Sequence, residues 1–178
     1  MKEIIILDKK FRESIPADVI NRRTDEMAEE MNRDLAGKDI IFLGILNGAF
    51  MFASEIFRRI NLNVRISFVK IASYRGAKST GSVSQLIGLA EDLKGKDVVI
   101  LEDIVDSGQT LENIVHEIIL RGAGSIRIAT LLFKPEAYTK NILIDYTGFR
   151  ISNDFVVGFG LDYDGYGRNL TSIYTLVN

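Results

Sequence analysis

Four unbroken apolar runs, each followed by a polar loop, constrain the fold of this sequence most strongly. They are IIFLGIL (40–46), DVVILE (97–102), IRIATLLF (126–133) and DFVVGFGL (154–161). An unbroken apolar run bounded by turn residues is typical of a strand covered on both faces, and such strands form parallel sheets. The runs alternate with helical patterns, as at residues 49–60 and 110–121. The sequence therefore predicts an α/β fold with a mainly parallel sheet flanked by helices.

Two further elements are predicted in the first half of the chain. Apolar residues recur at three- and four-residue steps after Pro16 and stop at Gly37, which predicts an amphipathic helix. The segment VRISFVKIAS (64–73) predicts a strand, and the polar, Gly/Ser-rich segment 73–85 predicts a flexible exposed loop. No repeat or Pro/Ser-rich linker divides the 178 residues, so we expect a single domain, 1–178.

Composition excludes several classes of function. The chain has no Cys and one His, which excludes a disulfide scaffold, a thiolate zinc site, a cysteine nucleophile and a poly-His metal site. The 22 basic residues do not outnumber the 24 acidic ones, which argues against a broad nucleic-acid-binding face. The longest apolar stretch, 40–53, is shorter than the roughly 20 residues that span a bilayer. We expect a soluble cytoplasmic protein with no membrane or nucleic-acid partner.

The carboxyl ends of the predicted strands are the expected place for a ligand. In open α/β sheets, ligands bind in the crevice beyond these ends. The loops expected to contribute to a ligand site are therefore 47–49, 73–85, 102–110 and 162–169.

The loop after the second run carries the most chemistry. It contains three carboxylates within five residues and then a helix start with two hydroxyls: Glu102, Asp103, Asp106, Ser107, Gly108, Gln109 and Thr110. Gly108 permits a backbone turn that a Cβ would strain. The amides at a helix N-terminus, together with hydroxyls, can hold a phosphate without a basic side chain.

Two interpretations of this loop are open. In the simpler one, Ser107 or Thr110 caps the helix and the carboxylates are solvated. In the other, the three carboxylates bind a cation or sugar hydroxyls, since they would otherwise repel one another. The second interpretation indicates a phosphorylated ribose bound with Mg²⁺.

The segment LEDIVDSGQT resembles the phosphoribosyl pyrophosphate (PRPP) signature of type I phosphoribosyltransferases. The loop lacks the Gly-Lys-Ser/Thr of a P-loop, and the glycines at 158 and 160 lack the third glycine of a dinucleotide fingerprint. Four other segments resemble the hypoxanthine-guanine phosphoribosyltransferases, in that family's order: ILNGAF (45–50), SYRG (73–76), LLFKPEAY (131–138) and DFVVGFGLDYDGYGRNL (154–170). The resemblance implies the type I phosphoribosyltransferase fold with a small hood.

The resemblance also implies a reaction and its participants. A purine salvage enzyme of this kind transfers the 5-phosphoribosyl group from PRPP to N9 of hypoxanthine or guanine, with Mg²⁺. The products are IMP or GMP and pyrophosphate. Members of the family are commonly homodimers or homotetramers.

Three residues are implied in base recognition. Lys134 would donate to the purine 6-oxo group, which disfavours adenine, although a surface lysine that extends into solvent is the commoner arrangement. Phe155 would stack on the base, whereas the residues alone slightly favour a core aromatic. The backbone of Val156 would contact the edge of the ring.

The resemblance also implies which loops bind the pyrophosphate leaving group and which loop closes over the site. The pyrophosphate loop is Leu46, Asn47 and Gly48, where the family often has Lys-Gly-Gly and contains a cis peptide, here between Leu46 and Asn47. Ser73 and Tyr74 would begin a loop that closes over the site and excludes water. Arg168 would contact pyrophosphate, which suits a guanidinium.

The acids receive distinct expected roles. Glu102 and Asp103 would hold the ribose hydroxyls, directly or through Mg²⁺, and the amides and hydroxyls of 106–110 would hold the 5-phosphate. Asp106 would face N7 of the purine as the catalytic general acid/base. The expected metal ligands are Glu102, Asp103 and Asp162.

Two other functions stay open from the sequence. One is a nucleotide-sensing regulator that binds RNA or DNA, which would need a basic face or an extra domain. The other is a related transferase for xanthine or a pyrimidine, since Lys134 would not distinguish among 6-oxopurines.

Overall fold

The computed structural model describes residues 2–74, 83–88 and 90–177, with no description of the side chains in 71–74 and 83–87. Its helices are α1 (Ala17–Asp34), α2 (Phe50–Phe57) and α3 (Gln109–Leu120). Its strands are β1 (Glu3–Ile6), β2 (Lys9–Ile15), β3 (Ile40–Leu46), β4 (Arg65–Tyr74), β5 (Val83–Ile87), β6 (Asp97–Val105), β7 (Ser125–Phe133), β8 (Tyr146–Arg150), β9 (Val156–Val157) and β10 (Ile173–Leu176).

The larger sheet has the order β5-β4-β3-β6-β7-β8. All of its pairings are parallel except the antiparallel pair of β4 and β5. The predicted α/β class and mainly parallel sheet are confirmed. Because the strands run in one direction, the carboxyl ends of β3, β6 and β7 lie side by side at one edge of the sheet.

The unbroken apolar run of β3 has a direct structural cause. Ile40 and Phe42 pack with α1 and α2 on one face of the sheet. Ile41 and Leu43 pack with α3 on the other face. Successive residues of a strand point to opposite faces, so a strand covered on both sides is apolar at every position.

The smaller sheet is antiparallel, with the order β1-β2-β10-β9, and it forms the expected hood. Its core contains Phe11, Val157 and Tyr174. The predicted buried strand at 154–161 is wrong, because the only strand in this segment is Val156–Val157, which pairs with β10 in the hood. Gly158 and Gly160 both have φ of +102°, so the chain turns here instead of continuing as a strand.

The other boundaries differ from the predictions in smaller ways. The strand predicted to end at 102 continues to Val105, and β8 was not predicted. The ends of the predicted 73–85 loop are strand residues, since Ser73 pairs with Ser84 and Tyr74 with Val83. Residues 75–82, the centre of that predicted loop, lie outside the described residues.

In the part of the chain that the structure describes, no helix has the length and apolar character needed to cross a bilayer.

Candidate active site

The loop between β6 and α3 forms an open cradle at the helix N-terminus. Gly108 is the N-cap of α3, with φ of +83°. Since glycine has no side chain, nothing at this position accepts a hydrogen bond from the first backbone amides of the helix. A cavity of about 220 Å³ lies at this end, and its lining is Glu102 with residues 104–111. Ser107, Gln109 and Thr110 are exposed there. The backbone amide of Gln109 donates a long hydrogen bond of 3.4 Å to Oγ of Ser107. The arrangement can therefore accept an anion.

The other side of this loop is held by the chain that follows β7. The carbonyl of Ser107 accepts hydrogen bonds from the Thr139 amide at 3.3 Å and the Thr139 hydroxyl at 3.2 Å. A Cβ on Gly108 would lie 2.5 Å from the ring of Tyr138. Close packing as well as backbone conformation therefore requires glycine at this position. Sequence reasoning did not single out Tyr138 or Thr139, because their contacts join segments about 30 residues apart.

Glu102 and Asp103 lie at the inner wall of the site. Glu102 is 5% exposed, and burial, with the Asp103 charge next to it, raises its pKa well above the ordinary value. The pKa of Asp103 is raised to about 6, mainly by burial and to a smaller degree by the Asp162 carboxylate, although backbone hydrogen bonds and the Arg168 charge act in the opposite direction. Both carboxyls are therefore poorly solvated in the ionised form. Sugar hydroxyls or a cation would stabilise that form.

Lys134 and Asp106 form an ion pair at the mouth of the cradle. Nζ of Lys134 lies 3.2 Å from Oδ2 of Asp106. The Lys134 side chain is only 10% exposed and that of Asp106 is 55% exposed. The interpretation of Lys134 as a surface lysine extending into solvent is therefore wrong. The pairing holds a buried ammonium group at a fixed position beside a carboxylate that a ligand can reach.

Phe155 presents an open aromatic face at the edge of the hood. Its residue exposure is 44%, and it precedes β9 instead of lying within a strand, so the core interpretation is wrong. Its ring centroid lies 6.3 Å from that of Phe11 and 6.0 Å from that of Tyr163. Val156, next to it, is buried, and its side chain packs in the main core with Phe159 and Ile173. The two aromatic neighbours orient the Phe155 ring and leave it available for stacking.

The loop after β3 packs tightly against two other parts of the site. The Leu46–Asn47 peptide is cis, as the resemblance implies. A Cβ on Gly48 would lie 1.6 Å from Oδ2 of Asp103. A Cβ on Gly160 would lie 2.0 Å from the carbonyl oxygen of Gly48. The Gly48 backbone is therefore enclosed between a carboxylate from β6 and the turn after β9.

Arg168 closes the turn after β9. It donates a 2.6 Å hydrogen bond to the carbonyl of Gly160 and forms a 2.6 Å ion pair with Asp162. The other carboxylate oxygen of Asp162 accepts from the Gly165 amide at 2.7 Å. The arginine and this acid are thus held together next to the loop that contains Gly48.

The expected metal ligands do not form a closed cage. Among the residues that the structure describes, no three acidic or histidine side chains converge in a way that could hold a metal ion. Mg²⁺ commonly keeps several waters and binds through one or two carboxylates together with substrate phosphates. The poorly solvated carboxylate of Asp103, near Asp162, fits an ion of that kind.

The close packing around Gly48 leads to a test of the loop. We expect Gly48→Ala to lower the free energy of unfolding by about 1–3 kcal/mol, because the new methyl group must displace Asp103 or the loop. The resemblance implies that this loop binds pyrophosphate, so we expect the affinity for pyrophosphate to fall as well. Denaturant unfolding and calorimetric titration with pyrophosphate measure the two effects.

Gly37→Ala is the control for this test. Gly37 has φ of +77° but no atom within 4 Å of an added Cβ, so its replacement strains the backbone alone. It should leave the pyrophosphate affinity unchanged. Wild-type stability and pyrophosphate affinity in Gly48→Ala would contradict the close contact.

Comparison with known proteins places these features in a family. Residues 17–164 match the phosphoribosyl transferase domain. The hypoxanthine-guanine phosphoribosyltransferase of Streptococcus pneumoniae (strain R6) is 40% identical over 160 residues, covering 89% of this chain and 89% of that protein. The Mycobacterium tuberculosis (strain H37Rv) protein of the same name is 38% identical over 169 residues, covering 91% and 84%. A crystal structure of a hypoxanthine phosphoribosyltransferase from Staphylococcus aureus superposes with a TM-score of 0.86 at 36% identity, covering 93% of this chain and 91% of that chain.

Proposed function

We propose a reaction for this chain, which belongs to the phosphoribosyltransferase family and has hypoxanthine-guanine phosphoribosyltransferases among its close relatives. The protein transfers the 5-phosphoribosyl group of PRPP to N9 of hypoxanthine or guanine. The products are IMP or GMP and pyrophosphate. The observation that carries this proposal is the buried ammonium of Lys134, paired with Asp106 beside an open helix N-terminus.

The cradle at α3 binds the 5-phosphate. The first amides of α3 lie beyond Gly108 without a side-chain cap, and they supply partial positive charge. The hydroxyls of Ser107 and Thr110 are exposed at the same place. These groups bind a dianion without the cost of burying a basic side chain.

Glu102 and Asp103 hold the ribose. Their burial raises both pKa values, so either carboxyl gains from a hydrogen bond with a sugar hydroxyl. The hydroxyls also fix the sugar ring over the cradle. This orientation leaves the anomeric carbon between the base and the leaving group.

The base lies between Phe155 and Lys134. Stacking on Phe155 fixes the plane of the purine, and the Lys134 ammonium donates to the 6-oxo group. Asp106 then faces N7, where it accepts or returns the proton as N9 attacks the sugar. Its carboxylate is reachable from solvent, as a proton-transfer group at this place requires.

The leaving group contacts the loop of Leu46, Asn47 and Gly48 and the guanidinium of Arg168. Asp103 and Asp162, with Glu102 beside them, would hold Mg²⁺. Bound with PRPP, Mg²⁺ would offset the negative charge of pyrophosphate. Arg168 supplies a second positive charge and is already oriented by Asp162 and the Gly160 carbonyl. Backbone amides of the loop complete the pyrophosphate site.

The proposal extends to the setting of the enzyme. It acts in the cytoplasm as a homodimer or homotetramer.

A base panel tests the proposed reaction. Pyrophosphate release is measured with PRPP and Mg²⁺ against hypoxanthine, guanine, xanthine, adenine and uracil. Hypoxanthine and guanine should give the highest kcat/KM. A higher value with adenine or uracil would overturn the assignment.

A further inference from the structure

A cluster of three polar side chains lies beside the phosphate cradle and has no place in the mechanism above. Nζ of Lys140 donates to Oε1 of Gln109 at 3.0 Å and to Oε2 of Glu112 at 2.7 Å. Nε2 of Gln109 donates to the same oxygen of Glu112 at 3.1 Å. Lys140 comes from the segment after β7, whereas the other two belong to the first turn of α3.

Glu112 introduces an electrostatic problem at this position. Residues 102–110 include no lysine or arginine, so their own contribution to phosphate binding comes from amides and hydroxyls. A carboxylate in the first turn of α3 stabilises the isolated helix, but it repels a phosphate bound at the same end. The hydrogen bond from Lys140 lowers the pKa of Glu112, so this carboxylate is ionised at neutral pH.

Lys140 is well placed to offset that charge. Its side chain is 20% exposed, and its stem packs over Gly108, since a Cβ there would lie 2.8 Å from Cγ of Lys140. Its ammonium also fixes the Gln109 side chain at the rim of the cradle. Lys140 therefore both compensates the negative charge of Glu112 and fixes the orientation of the Gln109 side chain.

We propose that Lys140 is a positioning residue for the 5-phosphate: it neutralises Glu112 and holds Gln109, and so keeps the cradle receptive to a phosphorylated sugar. This inference rests on the proposed function. Lys140 acts through its neighbours and takes no part in the chemical step. Its loss should therefore weaken phosphate binding and leave kcat unchanged.

Lys140→Met removes the charge and keeps a stem that can pack over Gly108. The KM for PRPP should rise about five- to tenfold, because Glu112 then repels the phosphate without compensation, and kcat should stay at the wild-type value. The double variant Lys140→Met/Glu112→Gln should recover most of this loss. A merely structural lysine would give no such recovery, since the second substitution removes a further hydrogen-bond partner.

A binding measurement separates this inference from the proposed reaction. Calorimetric titration with ribose 5-phosphate alone needs no turnover, and its affinity should fall in Lys140→Met and recover in the double variant. Lys96→Met is the matched control, because Lys96 pairs with Asp39 near the amino end of β6, away from the cradle. It should bind ribose 5-phosphate as wild type does.

Two results would overturn the role of Lys140. One is wild-type affinity for ribose 5-phosphate in Lys140→Met, and the other is a double variant as weak as the single one. Failure of the base panel, with intact ribose 5-phosphate binding that still depends on Lys140, would instead overturn the proposed reaction alone.

Discussion

Asp106→Asn should lower kcat by about 10²- to 10⁴-fold, the usual contribution of a positioned general acid or base. The amide cannot take the N7 proton, yet its oxygen can still accept the hydrogen bond that Lys134 now donates at 3.2 Å. The buried ammonium therefore keeps a partner and the fold should survive. Steady-state kinetics with hypoxanthine measure kcat, and calorimetric titration with PRPP measures binding.

The PRPP titration distinguishes a defect in the chemical step from a defect in substrate binding. Because the substitution keeps the backbone amide of residue 106 and leaves the hydroxyls of the cradle and the pyrophosphate loop unchanged, the PRPP affinity of Asp106→Asn should stay within a few-fold of wild type. Asp18→Asn is a suitable control, since Asp18 pairs with Arg22 on the exposed surface of α1. Near-normal turnover in Asp106→Asn would remove this residue from the mechanism.

Local patterns in the sequence predicted the elements that depend on short-range periodicity. The strand at 40–46 is buried on both faces, so every position is apolar. The helix after Gly108 is buried on one face, so its apolar residues recur at three- and four-residue steps. The same reasoning fails for the run at 154–161. It is apolar throughout, but the positive φ angles of Gly158 and Gly160 turn the chain out of the strand.

A compact motif in one segment predicts part of the candidate site, whereas contacts between distant segments leave no local pattern in the sequence. Glu102, Asp106 and the glycine of the cradle are close in sequence, so one segment was sufficient to identify them. The burial of Lys134 depends on how β6 and β7 end side by side, and no local pattern contains that information. The contacts of Tyr138 and Lys140 with the cradle are of the same kind.

Replacing Lys134 should change which bases the enzyme accepts. An ammonium can only donate, so it favours a 6-oxo group and opposes the 6-amino group of adenine. In Lys134→Gln, the side-chain amide is a weaker donor to the oxo group, and its oxygen can accept from an amino group. We expect kcat/KM for hypoxanthine to fall about 10- to 100-fold, the value of a hydrogen bond to a charged group. The preference for hypoxanthine over adenine should fall further, since adenine gains an acceptor.

Lys134→Met distinguishes recognition from general damage, because methionine offers neither a strong donor nor a strong acceptor. It should lose hypoxanthine activity to a similar degree without a gain for adenine. Asp106 stays solvated in both variants, as its side chain is 55% exposed, so neither variant leaves a buried unpaired carboxylate. Lys94→Gln, at an exposed lysine in the turn before β6, should retain wild-type selectivity. Full hypoxanthine efficiency in Lys134→Gln would mean that the buried ammonium serves Asp106 alone, and that the base is selected by the backbone of Val156 and its neighbours.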